Sequence, residues 1–425
     1  MRDPVVEFMN FNRPFARRNP ELLRLKIARM AEGPLPFFRG SYHLFARDFG
    51  DRSCEVLPLL STEGAALDLV GDIHCDNFGT YRASDDEVHY DINDFDETTR
   101  GRFTVDVARL ATSLLLAAQE RGADFADAVE VAVAFLTSYA EAARHFIKKG
   151  KDLDYGVSES APSGCSAIDD LVRQSAAAKR SEFIGRITET NGGHRRLLRS
   201  QHYFNLSDPE REQALRLLAD YRRRMKDSPS ADYYQPEDVC GRVAGIGSMG
   251  RLRYAVLIAG KGSKEGRNVL LEFKESRPSA YDLCRGSAPA NGSTTRAERV
   301  IAVQRQLQSA SGPLLSFAVD GDVSFQVREI GPSDNKLERP ALKKNGQLEE
   351  VAEVQGRLLA VAHARAVAQA IGPTNPLAEL EDADTFCQRV LAFALAYADL
   401  TRRDWKRFVG QRDQLEDVSP WAQSK

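Results

Sequence analysis

Gly245-Ile-Gly-Ser-Met-Gly-Arg-Leu-Arg-Tyr-Ala-Val-Leu-Ile258 is the stretch on which the fold turns. Glycines at Gly-x-Gly-x-x-Gly spacing lead into an apolar run rich in strand formers, not into a helix. When such a turn opens a helix it suits a dinucleotide; when it joins strands it makes a hairpin whose backbone can close over phosphates. Working outward, a second turn at Gly260-Lys-Gly-Ser-Lys-Glu-Gly266 leads into Asn268-Val-Leu-Leu-Glu-Phe-Lys274, which completes a β-hairpin. A helix over about residues 295–308 and a strand pair at 314–319 and 323–330 extend this to a small α+β unit spanning 236–335.

The flanking sequence reads as helical. Residues 1–50 carry a basic amphipathic segment in which Leu22, Leu23, Ile27 and Met30 recur at helical spacing, expected to pack on a larger lobe. Residues 51–235 begin with short strands and turns. They continue with helices at 105–121 and 125–146, separated by Gly122, and at 169–180 and 208–225. The polar run Lys226-Asp-Ser-Pro-Ser-Ala-Asp232 marks the boundary. Residues 336–425 read as helices that complete the large lobe.

With 42% hydrophobic and 28% charged residues, the composition is that of an ordinary globular protein. Lys plus Arg (58) nearly balances Asp plus Glu (61), so no global field favours nucleic acid or anionic lipid, and an anionic ligand must be held locally. The apolar stretch 110–118 is too short to span a bilayer, which needs about 20 residues. An acid and a proline at Asp3 and Pro4 do not suit a signal peptide, so a cytoplasmic location is expected. The six cysteines form no Cys-x-x-Cys pair and are expected to be reduced and mostly buried.

Two acidic motifs precede the glycine turn. Gly71-Asp-Ile-His-Cys-Asp-Asn77 contains Asp-x-x-x-x-Asn, and Asn93-Asp-Phe-Asp96 follows it. Phosphoryl transfer needs a carboxylate to orient the acceptor hydroxyl and further oxygen ligands for Mg²⁺. Asp72 suits the first role. Asn77 and Asp94 suit the second, with Asp96 or Asp91 as substitutes. In the hairpin, Gly245, Gly247, Ser248 and Gly250 would cradle phosphates. Lys274 would contact the α- and β-phosphates, and Glu298 on the next helix would be its carboxylate partner. Each feature has an ordinary alternative: Asp and Asn populate turns, a strand lysine is often a solvated edge, and Glu298 is the fourth position of a capping box.

The two acidic motifs resemble the Gly-Asp-x-His-x-x-Asn and Asp-Phe-Asp/Glu pair of aminoglycoside and choline phosphotransferases, with Val70 where that family carries His. Nearly the whole chain also resembles an uncharacterised bacterial family, on Phe37-Phe-Arg-Gly40, Gly71 to Gly79, residues 93–97, 243–250 and 273–275, Ala362-His-Ala-Arg365 and Tyr397-Ala-Asp399. The resemblance implies a bilobal protein-kinase-like α+β fold, circularly permuted, because the glycine turn and lysine follow the acidic motifs. It implies an ATP- and Mg²⁺-dependent transfer to an unidentified hydroxyl, expected to be on a small molecule. The alternatives are a nucleotide-binding pseudokinase, a protein adenylyltransferase and a metal-dependent phosphoesterase. Of the remaining polar residues, Arg39 is expected to pair with a carboxylate, His363 to be structural, and Asp106 and Arg109 to form an intrahelical pair.

Overall fold

A computed structural model describes residues 2–50, 56, 60, 66–149, 153–191, 194–225, 230–245, 247, 249–261, 266–286, 294–342, 345–368, 377, 380 and 382–417. Four helices open the chain: α1 (Pro4–Arg18), α2 (Pro20–Ala31), α3 (Pro34–Gly40) and α4 (Tyr42–Gly50). Proline stands in the first turn of α1, α2 and α3, where its missing N–H costs nothing, and Asp3 and Asn19 cap the first two. Short strands follow: β1 (Leu67–Leu69), β2 (Phe78–Arg82), β3 (Val88–Ile92) and β4 (Thr99–Gly101). β1 pairs with β4 and β2 with β3, so the acidic motifs lie in the connections between strands.

The long helices α5 (Phe103–Glu120) and α6 (Phe125–Lys149) come next. Every residue of α5 from Phe103 to Ala118 is buried, as its apolar run predicts. After β5 (Val157–Ser158) the chain forms α7 (Ser166–Ala177), α8 (Arg180–Ile187), β6 (Thr188–Asn191), β7 (His194–Leu197), β8 (Tyr203–Phe204) and α9 (Asp208–Arg224). The helix predicted over 169–180 is α7, which starts and ends three residues earlier because the backbones of Ala178 and Lys179 are extended, and α8 follows as a further helix.

The α+β unit then follows as β9 (Pro236–Arg242), β10 (Arg253–Ile258), β11 (Val269–Ser276), α10 (Ala280–Cys284), α11 (Arg296–Leu307), β12 (Ser316–Asp320) and β13 (Val323–Ile330). The chain ends in α12 (Asn345–Ala368), α13 (Ala383–Gly410) and α14 (Arg412–Glu416). The main sheet is antiparallel with order β12-β13-β11-β10-β9-β8, and the glycine turn joins β9 to β10. Strand alternation gives this sheet two faces. Val239, Tyr254, Val256, Leu271, Phe273 and Val327 pack under α9 through Ala214, Leu217 and Tyr221. α9 therefore packs on the sheet, although the polar boundary at 226–232 predicts it with the helical lobe. Sequence periodicity shows that an amphipathic helix has an apolar face but not which surface covers it.

The largest core joins α5, α6, α12 and α13 to β1–β3, with Val300, Val303 and Leu307 of α11 added from the sheet side. A third cluster unites Phe8 and Phe15 of α1, Leu23 and Ile27 of α2, Phe408 of α13, and Val243 and Met249, which flank the glycine turn. The N-terminal helices therefore brace that turn as well as the helical body. Among the described residues no helix is long and apolar enough to cross a membrane. Cys75, Cys165 and Cys240 are free and buried, Cys387 is half-buried and Cys284 exposed, while Cys54 lies outside the described residues.

Candidate functional site

Residues 70–77 form a loop held from beneath by α5. Asp106 accepts hydrogen bonds from the backbone N–H groups of Val70 at 2.8 Å and Gly71 at 3.0 Å. Gly71 sits at φ +92°, and a Cβ there would run into the Glu97 carbonyl, so this bend requires glycine. One turn further along α5, Arg109 donates from Nε to Asp72 Oδ1 at 2.7 Å, and its Nη2 reaches the same oxygen and the Phe38 carbonyl. Asp106 and Arg109 are thus not the intrahelical pair that their spacing predicts. On a wholly buried helix a charge must find its partner elsewhere, and both find it in this loop. Asp106 also faces His363 Nε2 at 3.3 Å, whose Nδ1 meets the Tyr139 hydroxyl at 2.8 Å, so His363 is a core residue supporting the loop.

Asp72 is shielded by these contacts. Burial pushes its carboxyl up to about 7, against the pull of Arg109. Asn77 donates from Nδ2 to the Asp72 carbonyl at 2.9 Å, and its own carbonyl accepts from the Asn93 N–H at 2.9 Å, linking the two acidic motifs. Asp76 pairs with Arg39 at 2.6 Å and with Arg339 at 2.9 Å, so Arg39 does pair with a carboxylate.

Lys274 comes to this loop from β11. Every residue of that strand is buried, and it lies between β10 and β13 with Lys274 opposite Arg253 and Gln326, so the lysine is no edge residue. Its Nζ lies 3.2 Å from Asp94 Oδ1 and makes a closer ion pair with Asp96, to which Gln326 also donates. Burial works to raise the Asp94 carboxyl, but Lys274, Lys336 and Arg253 outweigh it and hold it well below the usual carboxylate range. The partner predicted for Lys274, Glu298, lies instead in the first turn of α11, where its N–H is capped by Thr295 Oγ1 at 3.3 Å.

The glycine turn reaches the same place. A Cβ at Gly247 would stand 3.3 Å from the Arg39 carbonyl and 3.6 Å from Asp72 Oδ2, and Gly245 lines the cavity that also contains Asp94 and Lys274. Gly250, at φ +114°, closes the turn against the Phe15 ring. Ser248 lies outside the described residues. The structure places Asp94, Lys274 and Gly245 in the lining of one cleft, joins Asp96 to it through Lys274, sets Asp72 and Asn77 in the adjoining loop beneath Gly247, and does not bring Glu298 to that lining. Among the described residues no three His, Cys, Asp or Glu side chains converge as a metal cage. Mg²⁺ at phosphate sites takes one or two carboxylates plus substrate oxygens; Asp94 is such a carboxylate, and the Asn77 amide offers a neutral oxygen.

The cleft is a cavity of about 250 Å³ between the sheet and residues 334–336. Several of its residues are not singled out by motif reading. Glu272, two residues before Lys274, is buried and receives Arg253 at 2.9 Å, Arg328 at 3.3 Å and, closer, Arg242. A glutamate and an arginine alternating with apolar residues on adjacent strands, as in β11 and β13, is the signal that could have marked them.

The profile of a family described as "Uncharacterized protein conserved in bacteria (DUF2252)" matches residues 18–411, which include every stretch on which the bacterial-family resemblance rests. The chain belongs to this family. No curated protein and no solved structure matches the chain. The description of DUF2252 carries no activity, so what the cleft does is read from its own geometry.

Proposed function

We propose that the chain is an ATP- and Mg²⁺-dependent phosphotransferase of protein-kinase-like fold in circularly permuted order, acting on a hydroxyl acceptor of a small molecule. The observation that carries this is the meeting of Lys274 with Asp94 and Asp96, residues 180 and 178 positions apart, beneath a glycine turn that reaches Asp72. The strand order supports it: a glycine-turn hairpin, a lysine strand, a crossing helix and a returning hairpin make a nucleotide lobe, and the helical body makes the second lobe.

Mg²⁺-ATP, when bound, would supply the phosphoryl group and the charge neutralisation that its transfer requires. Asn77 and Asp94 would hold the cation, and Lys274 would leave its carboxylate partners for the phosphates. Gly245 and Gly247 let the backbone approach closely. Asp72, fixed by Arg109 and with a carboxyl that titrates near neutrality, would orient the acceptor hydroxyl and take its proton.

Calorimetric titration of Mg²⁺-ATP into wild type, Asp94→Asn and Lys274→Ala tests the reading. Metal-dependent binding is expected in the wild type. It should weaken at least tenfold in Lys274→Ala and lose its metal dependence in Asp94→Asn, with the melting temperature preserved. Absence of ATP binding by the wild type at millimolar concentration would sink it.

A further inference from the structure

The cleft is lined quite differently from a pocket for a flat purine. Five cations border it: Arg242, Arg253, Lys274, Arg328 and Lys336. Against them stand the carboxylates of Asp94, Glu272 and Asp334 in the lining and of Asp96 on Lys274, leaving an excess of one positive charge. The imbalance is greatest around Glu272, which is shared by three guanidinium groups, with Asp334 standing 2.8 Å from Arg328 as a second carboxylate. Two carboxylates stand against three partly buried guanidinium groups, and a bound anion would complete the set.

Apolar side chains are few in the same place. Ala244 and Ile330 supply the hydrophobic side chains of the lining. The remaining apolar residues of this sheet face, Cys240, Ala255, Leu257 and Leu270, are already covered by the chain's own Ile184 and Leu197. Small-molecule pockets are ordinarily lined by apolar and aromatic groups with a few polar ones. This one is lined mostly by polar and charged side chains, and guanidinium forks match phosphate oxygens.

We infer that the cleft, around Arg253, Arg328 and the rim residue Lys336, takes a polyphosphate group, with any nucleoside held outside it. The inference rests on the nucleotide reading only for the source of that polyphosphate. A nucleotide would enter phosphates first, and the base would contribute little to affinity. Lys336 stands at the rim, with Nζ bonded to the Asp76 carbonyl at 2.8 Å, where it can turn to an incoming anion.

Competition calorimetry on the whole protein with Mg²⁺ present tests this, using ATP, GTP, adenosine and inorganic tripolyphosphate. ATP and GTP should bind within about threefold of one another, tripolyphosphate should displace both, and millimolar adenosine should displace neither. The exposed-rim variant Lys336→Gln should fold normally and bind tripolyphosphate about tenfold more weakly. If adenosine displaces ATP and tripolyphosphate does not, the polyphosphate site is wrong and the nucleotide reading stands. If tripolyphosphate binds and ATP does not, the site stands and the nucleotide reading falls. Binding of neither overturns both, and unchanged affinity in Lys336→Gln puts the anion elsewhere.

Discussion

Arg109 carries its guanidinium 4.0 Å above the ring of Phe38, 4.7 Å from that of Tyr42 and 4.9 Å from that of Phe45, with no side-chain exposure. Its charge is therefore spent on Asp72 and on three aromatic faces. Replacing it by Met should lower unfolding free energy by roughly 3 kcal/mol, because the partly buried Asp72 is left without its partner. In urea denaturation the double variant Arg109→Met/Asp72→Asn should be more stable than Arg109→Met alone. Lys26 offers a pH test at the same scale. It is buried, bonded to Asn12 Oδ1 at 3.1 Å, and burial, helped by Arg251, lowers it from 10.5 to about 8. Between those values the unfolded chain binds a proton that the folded one does not, so this residue makes stability rise with pH through that window. Against a Lys26→Met reference, the wild type should gain roughly 3 kcal/mol between pH 8 and pH 10.5, measured by denaturant unfolding. A flat difference would mean that Lys26 is solvated in the folded state.

Among the elements, the glycine turn packs closely on α1. Gly250 combines φ +114° with a position where a Cβ would stand 2.8 Å from the Phe15 ring. Gly250→Ala should therefore cost roughly 2 kcal/mol and weaken ATP binding. Phe15→Ala in the same chain should relieve the contact but not the backbone strain, so thermal melts of the single and double variants separate the two terms. The hairpin of β10 and β11 and the helices α5, α6 and α11 are legible because their periodicity is strong and their ends carry turn residues. The break between α7 and α8 is not, since no glycine or proline marks it. Nor is the place of Glu298: its position three residues after Thr295 serves a capping box and a lysine partner equally well, and the cap is what forms.

The whole molecule brings its described ends together. Asp3 and Arg407 form an ion pair, and α1 and α14 both pack in the cluster that holds the glycine turn. If the order of parts is a circular permutation, it can be undone. A chain reopened within the polar run at 226–232, with its C-terminus joined to its N-terminus by a short flexible linker, places the glycine turn before the acidic motifs. Such a rearranged chain should fold with a melting temperature within about 10 °C of the parent and bind Mg²⁺-ATP with similar affinity, because close, exposed termini tolerate rejoining. Failure to fold would show that the order of synthesis or the N-terminal brace matters to this family's architecture.

By itself the sequence determined the strand hairpin, the helical segments and the residue types of the two acidic motifs, because these depend on local spacing and turn chemistry. Only the tertiary structure decided that Lys274 pairs with Asp94 and Asp96, that Arg109 and Asp106 serve the Asp72 loop, and that three arginines converge on Glu272. Those pairings join positions 19 to 180 residues apart. A buried charge takes whichever opposite charge the packing brings within reach, and no spacing rule along the chain encodes that choice.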